Sequence, residues 1–415
     1  MKAARKFASA VLLLLSACAS AVDTPVSTEL PSFSVPTDNP LTLENSVPPT
    51  LLPDESPPAR AQNEFKTDFS KHTVPYGEIL SGGPPKDGIP ALKDLQFVSV
   101  SDADSWLKPL EPVILVQVSD DARAYPIQIL IWHEIANDTV GGEPLVVTFC
   151  PLCNTAIAFK RTVNGKVLDF GTTGRLRYSN LIMYDRQTET WWQQATGEAI
   201  AGELTGTQLE FYPAAIISWQ DFQASYPQGK VLSRETGYPR DYGHNPYVGY
   251  DDVNNPPFLY QGPATPEQLP PVARVLTIDL NGEAVAYPYE TLEEVRVVND
   301  TVGGEEIVVI WQAGTVSPLD SATTGSGRDV GTAAAFSRQL NPSTLPVVAG
   351  QSGQALSFAF NDGKLIDEQT KSEWNVLGQA ITGELKGKQL TPVVSINHFW
   401  FSWAAFKPET RIYAP

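Results

Sequence analysis

Residues 137–143 read NDTVGGE, and residues 299–305 read NDTVGGE again. An apolar run follows each copy, Leu145-Val146-Val147 in the first and Ile307-Val308-Val309 in the second. Ala124-Tyr125-Pro126 precedes the first copy and Ala286-Tyr287-Pro288 the second. Downstream, Asp185, Thr188 and Trp192 match Asp367, Thr370 and Trp374, and residues 197–204 match 378–385. A tandem duplication constrains the fold strongly, because both copies must satisfy one architecture. It also supplies an internal control. What both copies keep serves the fold, and what only one copy has serves function.

The differences are concentrated. Aligned through NDTVGGE, His133 falls opposite Val295, Cys150 opposite Gln312 and Cys153 opposite Thr315; through the Asp-x-x-Thr match, Met183 falls opposite Leu365. Those four first-copy residues are soft or borderline metal-ligand types. Their joint absence from the second copy points to a unit that works in one copy and has decayed in the other.

The first 17 residues read as a lipoprotein signal. Lys2, Arg5 and Lys6 form a positive start, residues 7–15 are a short apolar run, and Leu15-Ser16-Ala17-Cys18 resembles a lipobox. Cys18 is therefore the expected lipidation site. Residues 18–64 are rich in Pro, Ser and Thr and read as a disordered tether. No other segment is long and apolar enough to span a bilayer. The expected location is the extracytoplasmic face of a prokaryotic membrane, held there by lipid. The formal charge of −18 and the lack of any basic run argue against a nucleic-acid partner.

Short β-branched and aromatic runs punctuated by Gly, Asn and Pro predict strands at 113–118 and 145–149. A hairpin is expected at 155–170 around Asn164-Gly165, with a counterpart at 355–366. Short helices are expected at 127–135, 218–226 and 396–406. The fold class is a β-rich α+β protein of two tandem homologous domains. Domain one spans 65–226 and domain two 272–415, and an ordered Pro- and Tyr-rich excursion at 227–271 joins them. Asp185, Thr188, Trp192 and their repeats read as structural, and NDTVGG as a tight turn before a strand.

Several longer strings carry a family resemblance: residues 148–154 (TFCPLCN), 171–176 (GTTGRL), 180–188 (NLIMYDRQT), Trp132-His133-Glu134, and the later Pro246-Tyr247 with Gly249-Tyr250-Asp251. From about residue 70 onward the chain resembles the prokaryotic domain-of-unknown-function family 3179. The resemblance implies an exported or anchored protein and brings no biochemical activity with it.

Cys150-Pro-Leu-Cys153-Asn154 permits three readings. As a metal knuckle, Pro151 fixes the turn and Asn154 takes the left-handed conformation, so that N–H groups face both sulfurs. His133 and Met183 then complete the ligand set, with His244 and Asp185 in reserve. Two sulfurs, an imidazole and a thioether suit copper better than zinc. As a redox dithiol, the pair requires a helix N-terminus to lower one thiol pKa, and the sequence after Cys153 reads as strand. As a structural disulfide, it closes too small a loop to stabilise much. A different class of function is a binding module for a sugar or anion, with Arg175, Arg177 and Arg186 as ligand-binding residues around the 171–174 loop. No G-x-S-x-G, H-E-x-x-H or phosphate-loop signature is present.

Overall fold

The computed structural model describes residues 50–53, 55–340 and 355–415. Cys18, the signal segment and most of the tether lie outside them. The described chain is rich in strands and carries only short helices.

After several short elements between Ala61 and Ala103, the first half runs through Pro112–Val118 and Asp121–Pro126, paired antiparallel, then the helix Ile127–His133, then the strands Ile135–Val140, Glu143–Cys150 and Thr155–Lys160 in sequential antiparallel order. The second half repeats this order. Arg274–Leu280 pairs with Glu283–Pro288, the helix Tyr289–Val295 follows, and then come Val297–Val302, Glu305–Gln312 and Thr332–Ser337. A third sheet recurs as well. Phe170–Arg177, Asn180–Asp185, Trp191–Gln193 and Ala199–Ala201 lie side by side in the first half; Phe358–Asn361, Lys364–Asp367, Glu373–Trp374 and Ala380–Thr382 do so in the second. Even a parallel pairing recurs, Lys230 beside Arg123 and Arg411 beside Val285.

The repeated residues explain the repeated pairings. Asp185 accepts hydrogen bonds from the Thr188 N–H (2.6 Å), the Thr188 hydroxyl (2.8 Å) and the Trp192 indole (3.0 Å). Asp367 accepts from Thr370 and Trp374 at the same distances. Each carboxylate thus closes a turn and anchors a buried tryptophan. In NDTVGGE, only the glycines make the turn. Asn137 and Asp138 lie in the strand Ile135–Val140, contrary to the expectation of a tight turn there. The Asn137 amide bonds the backbone of Phe170 in the next sheet, as Asn299 does with Phe358. Gly141 and Gly303 have φ of 54° and 56°, and an added Cβ would sit 2.6 Å from the Val118 carbonyl oxygen or 2.2 Å from that of Leu280. Only glycine fits such a position.

The cores are shared between the halves. One apolar cluster joins Val113, Ile217 and Trp219 to Val308, Phe336 and Trp374. Another joins Ile114, Leu130 and Phe149 to Leu319, Phe399 and Phe401. Ile396–Phe399 packs against Thr155–Lys160, and its counterpart Ala215–Ser218 packs against Thr332–Ser337, although each is hydrogen-bonded within its own half, to Arg274–Thr277 and to Pro112–Leu115. Leu145, Val146 and Val147 are fully buried, as expected of a strand covered on both faces.

Four sequence expectations are corrected. The segment 396–406 begins as the strand Ile396–Phe399 and turns helical only at Trp400–Ala404, because its first residues pair with Arg274–Thr277. The Asn164-Gly165 hairpin exists but joins only Thr162–Val163 to Lys166–Val167; Phe170 belongs to another sheet. The partner of Thr155–Lys160 in the second half is therefore Thr332–Ser337, not 355–360. Cys153 consequently has no counterpart at Thr315. Three residues of turn separate Cys150 from Asn154, whereas residues 313–331 form a long excursion before the strand resumes at Thr332. Finally, part of the expected tether is held on the body. Ala61 is buried beside Phe65 and Trp191, and the Leu52 N–H donates to the His72 carbonyl.

Candidate functional site

The strand Glu143–Cys150 ends in a single 3-10 turn, Pro151–Cys153, and the chain reverses through Asn154 (φ 50°) into Thr155–Lys160. The knuckle geometry expected from the sequence is therefore present, with Asn154 in the left-handed role. Both cysteines are free and buried, and their sulfurs lie 3.2 Å apart.

A second hairpin completes the setting. Phe170–Arg177 turns into Asn180–Asp185 through Tyr178 and Ser179, both at positive φ (53° and 64°). Two successive non-glycine residues in that region carry strain, and strain of this kind gathers at functional sites. The turn delivers the Ser179 carbonyl to 3.4 Å from the Cys153 sulfur and the Asn180 amide N–H to 3.4 Å from the same atom. The Leu181 N–H faces Cys150 and works to lower its pKa. Burial nevertheless holds the Cys150 thiol well above its ordinary value, with Cys153 and then the charge of Glu134 acting in the same direction.

Behind the sulfurs lies a buried polar network. The Asn180 amide donates to Gln194, Gln193 donates to Asn180, and Gln194 donates to the Thr148 hydroxyl. The Thr155 hydroxyl lies 3.1 Å from the Cys153 carbonyl and 3.0 Å from Nδ1 of His398, a residue of the second half. Burial pushes His398 down to about 3, so it is neutral, and its Nε2 has no hydrogen-bond partner among the described residues.

Met183 lies on the strand that supplies Asn180 and Leu181 and shares an apolar cluster with Cys150 and Cys153. It pairs with Trp192 as Leu365 pairs with Trp374, so the match made from sequence is also a match in register. His133 is engaged elsewhere. Its Nδ1 bonds the Pro90 carbonyl (2.7 Å) and its Nε2 the Tyr242 hydroxyl (2.6 Å), so Nδ1 donates and Nε2 accepts. Burial lowers it to about 4. Among the described residues, no three His, Cys, Asp or Glu side chains are gathered to hold a metal. Of the reserves, Asp185 is committed to Thr188 and Trp192, and His244 lies beside Trp132 in a separate cleft.

The three arginines do not converge. Arg175 pairs with Glu64 (3.2 Å), Arg177 with Glu78 (2.7 Å) and Arg186 with Asp87 (2.8 Å), each in its own place.

Glu134 is the residue that sequence reasoning missed. It ends the helix Ile127–His133 in the left-handed region (φ 57°), and its carbonyl accepts from the Phe149 N–H. Burial alone pushes its carboxyl up to about 8. The equivalent residue in the second half is Arg296, which also has positive φ (67°), accepts from the Trp311 N–H and stacks over Trp311. A carboxyl in one copy and a guanidinium in the other was visible in the alignment of the two copies.

The excursion at 227–271 is ordered and covers the knuckle. The Tyr250 hydroxyl donates to the Leu152 carbonyl (2.9 Å), and the Ser179 hydroxyl donates to the Phe258 carbonyl (2.6 Å). Asp251, fully buried, ties the excursion to the second half through Arg274 and Arg328.

No curated protein and no solved structure matches this chain. A family model described as a protein of unknown function, DUF3179, matches residues 86–410, which include the knuckle, the Tyr178-Ser179 hairpin and the covering excursion. The chain belongs to that family.

Proposed function

We propose that the knuckle is a buried soft-metal centre that binds copper(I) through Cys150 and Cys153, with the Met183 thioether as third ligand. The observation that carries this reading is electrostatic. Burial opposes the anionic forms of Glu134 and Cys150, and among the described residues no cationic side chain offsets it at either. A bound cation would relieve that penalty; thiolates suit both zinc and copper(I), and the soft thioether of Met183 favours copper(I). Low coordination also agrees with the engagement of His133 by Pro90 and Tyr242, which removes the imidazole from the expected ligand set. The N–H groups of Leu181 and Asn180 directed at the sulfurs stabilise thiolates.

The wider setting of the proposal is a duplicated protein. Domain one, 65–226, works, and domain two, 272–415, keeps the architecture without the site. Export and a lipid on Cys18 would hold the centre on the extracytoplasmic face of a membrane, with the tether between. The acidic chain makes nucleic acid an unsuitable partner.

One observation favours a second reading, a redox dithiol. The sulfurs of the two free cysteines are already in contact, 3.2 Å apart. Oxidation by a partner's disulfide would form the Cys150–Cys153 bond, transfer two electrons, and leave the partner with two thiols. The two readings separate in one experiment. Reduced protein is loaded with copper(I) without oxygen, desalted and analysed for metal. The copper reading expects one equivalent per chain, lost in Cys150→Ser and Cys153→Ser. Absence of retained copper from protein with two titratable thiols would leave the dithiol reading.

A further inference from the structure

A second site lies in a cleft where four segments meet: the approach to Pro112–Val118, the helix Ile127–His133, the covering excursion, and the 313–331 insertion of the second half. Arg234 stands in its wall. Its guanidinium lies over the Trp106 ring, 4.7 Å from the centroid. Its Nε donates to the Gln128 amide oxygen (2.8 Å), and one terminal nitrogen reaches the Trp106 carbonyl at 3.4 Å. Among the described residues no carboxylate comes within ion-pair distance of Arg234 or of Lys108, which lines the same cleft. This separates Arg234 from Arg123, Arg175, Arg177, Arg186 and Arg274, all of which hold carboxylates.

The guanidinium is also held in place. Gln128 is fully buried, and its Nε2 donates to Glu111 (2.7 Å), which orients the amide oxygen toward Arg234. Glu111, 3% exposed, is fixed in turn by the Thr324 hydroxyl (2.9 Å) and the Lys108 N–H (3.2 Å). Its oxygens are taken up by these bonds, and Asp241, the other carboxylate lining the cleft, forms no ion pair with Arg234 or Lys108, so the Arg234 fork faces the cleft without a paired carboxylate among the described residues. Gly325 lets the Glu111 carboxylate approach, since a Cβ there would lie 2.7 Å from Glu111 Oε2. The second half lacks the relay. Ala273 stands where Glu111 does, each carbonyl accepting the N–H of an equivalent tryptophan, and Glu290 stands where Gln128 does.

We propose that this cleft binds a small oxyanion, a carboxylate or phosphate group, on Arg234 with Lys108 in support. A guanidinium fixed at Nε presents its remaining N–H groups in the planar fork that such anions accept. His244 and Thr324 supply further polar lining. Tyr242 lines the cleft and also bonds His133, so an anion here would sit one residue contact from the helix that carries Glu134.

The test is calorimetric titration of the full chain with inorganic phosphate and with succinate, at constant ionic strength in chloride. One-to-one binding of at least one anion is expected, weakened about tenfold or more by Arg234→Gln and partly restored by Arg234→Lys, as loss of a charge-assisted pair requires. Gln128→Leu should weaken it while leaving the melting temperature of the free protein close to wild type or lower. Cys150→Ser should not change it, so this site stands or falls independently of the copper proposal. Failure of both anions to bind, or equal binding by wild type and Arg234→Gln, would overturn the inference.

Discussion

The Glu134 carbonyl accepts the N–H of Phe149, the residue before Cys150, and the Glu134 charge opposes ionisation of the Cys150 thiol. Glu134 makes one contribution to the pH dependence of stability, opposite in sign to those of the buried His133 and His398. Burial raises the Glu134 carboxyl from 4.5 to about 8. The unfolded chain therefore releases that proton first as pH rises. The Glu134 contribution to stability is fully present below about pH 4.5 and is lost across the window up to about 8, by an amount on the order of 5 kcal/mol at most. Glu134→Gln should flatten that slope in denaturation curves recorded between pH 5 and pH 8. An unchanged slope would mean that Glu134 is not buried as described.

Asp185 and Asp367 should matter equally. Each is fully buried and accepts from a backbone N–H, a threonine hydroxyl and an indole. Replacing either by Ala strands those donors and should cost about 3 kcal/mol or more in urea denaturation. Losses below about 0.5 kcal/mol in either would contradict the structural role given to the repeated motif.

Much of the fold was legible because it is periodic and repeated. Ser218 caps the helix Trp219–Ser225 and accepts from the Asp221 N–H, as its position before an apolar run suggests. Pro126 and Pro288 each precede a seven-residue helix. What could not be read was pairing between distant segments. Nothing local to residues 396–399 says strand, because the partner that makes it one lies at Arg274–Thr277. The same holds for the site. The knuckle was readable from Pro151 and Asn154, whereas Ser179, Asn180 and His398 reach it only through tertiary contacts. His133 was singled out for its chemistry, and its two hydrogen bonds, one of them to a residue 109 positions away, decide its role instead.

The covering excursion should control access to the sulfurs. Tyr250 donates to the carbonyl of Leu152, inside the knuckle itself. Tyr250→Phe removes that bond, worth roughly 1 kcal/mol, and should speed labelling of the native thiols by a maleimide several-fold. Labelling of wild type at the rate of unfolded protein would show that the excursion covers nothing.

Cys18 lies outside the described residues, and its lipidation is a separate expectation. Mass spectrometry of protein from its own membrane should find residues 1–17 removed and a diacylglycerol mass on Cys18. An intact start, or cleavage without lipid, would remove the anchor from the proposal.

The copper centre is tested most directly by copper K-edge absorption of the reduced, loaded protein. A low-coordinate copper(I) edge with only sulfur neighbours is expected, unchanged in His133→Ala and with one sulfur fewer in Met183→Leu. Imidazole scattering that disappears in His133→Ala would contradict the ligand set, and a spectrum unaffected by Cys150→Ser would contradict the site.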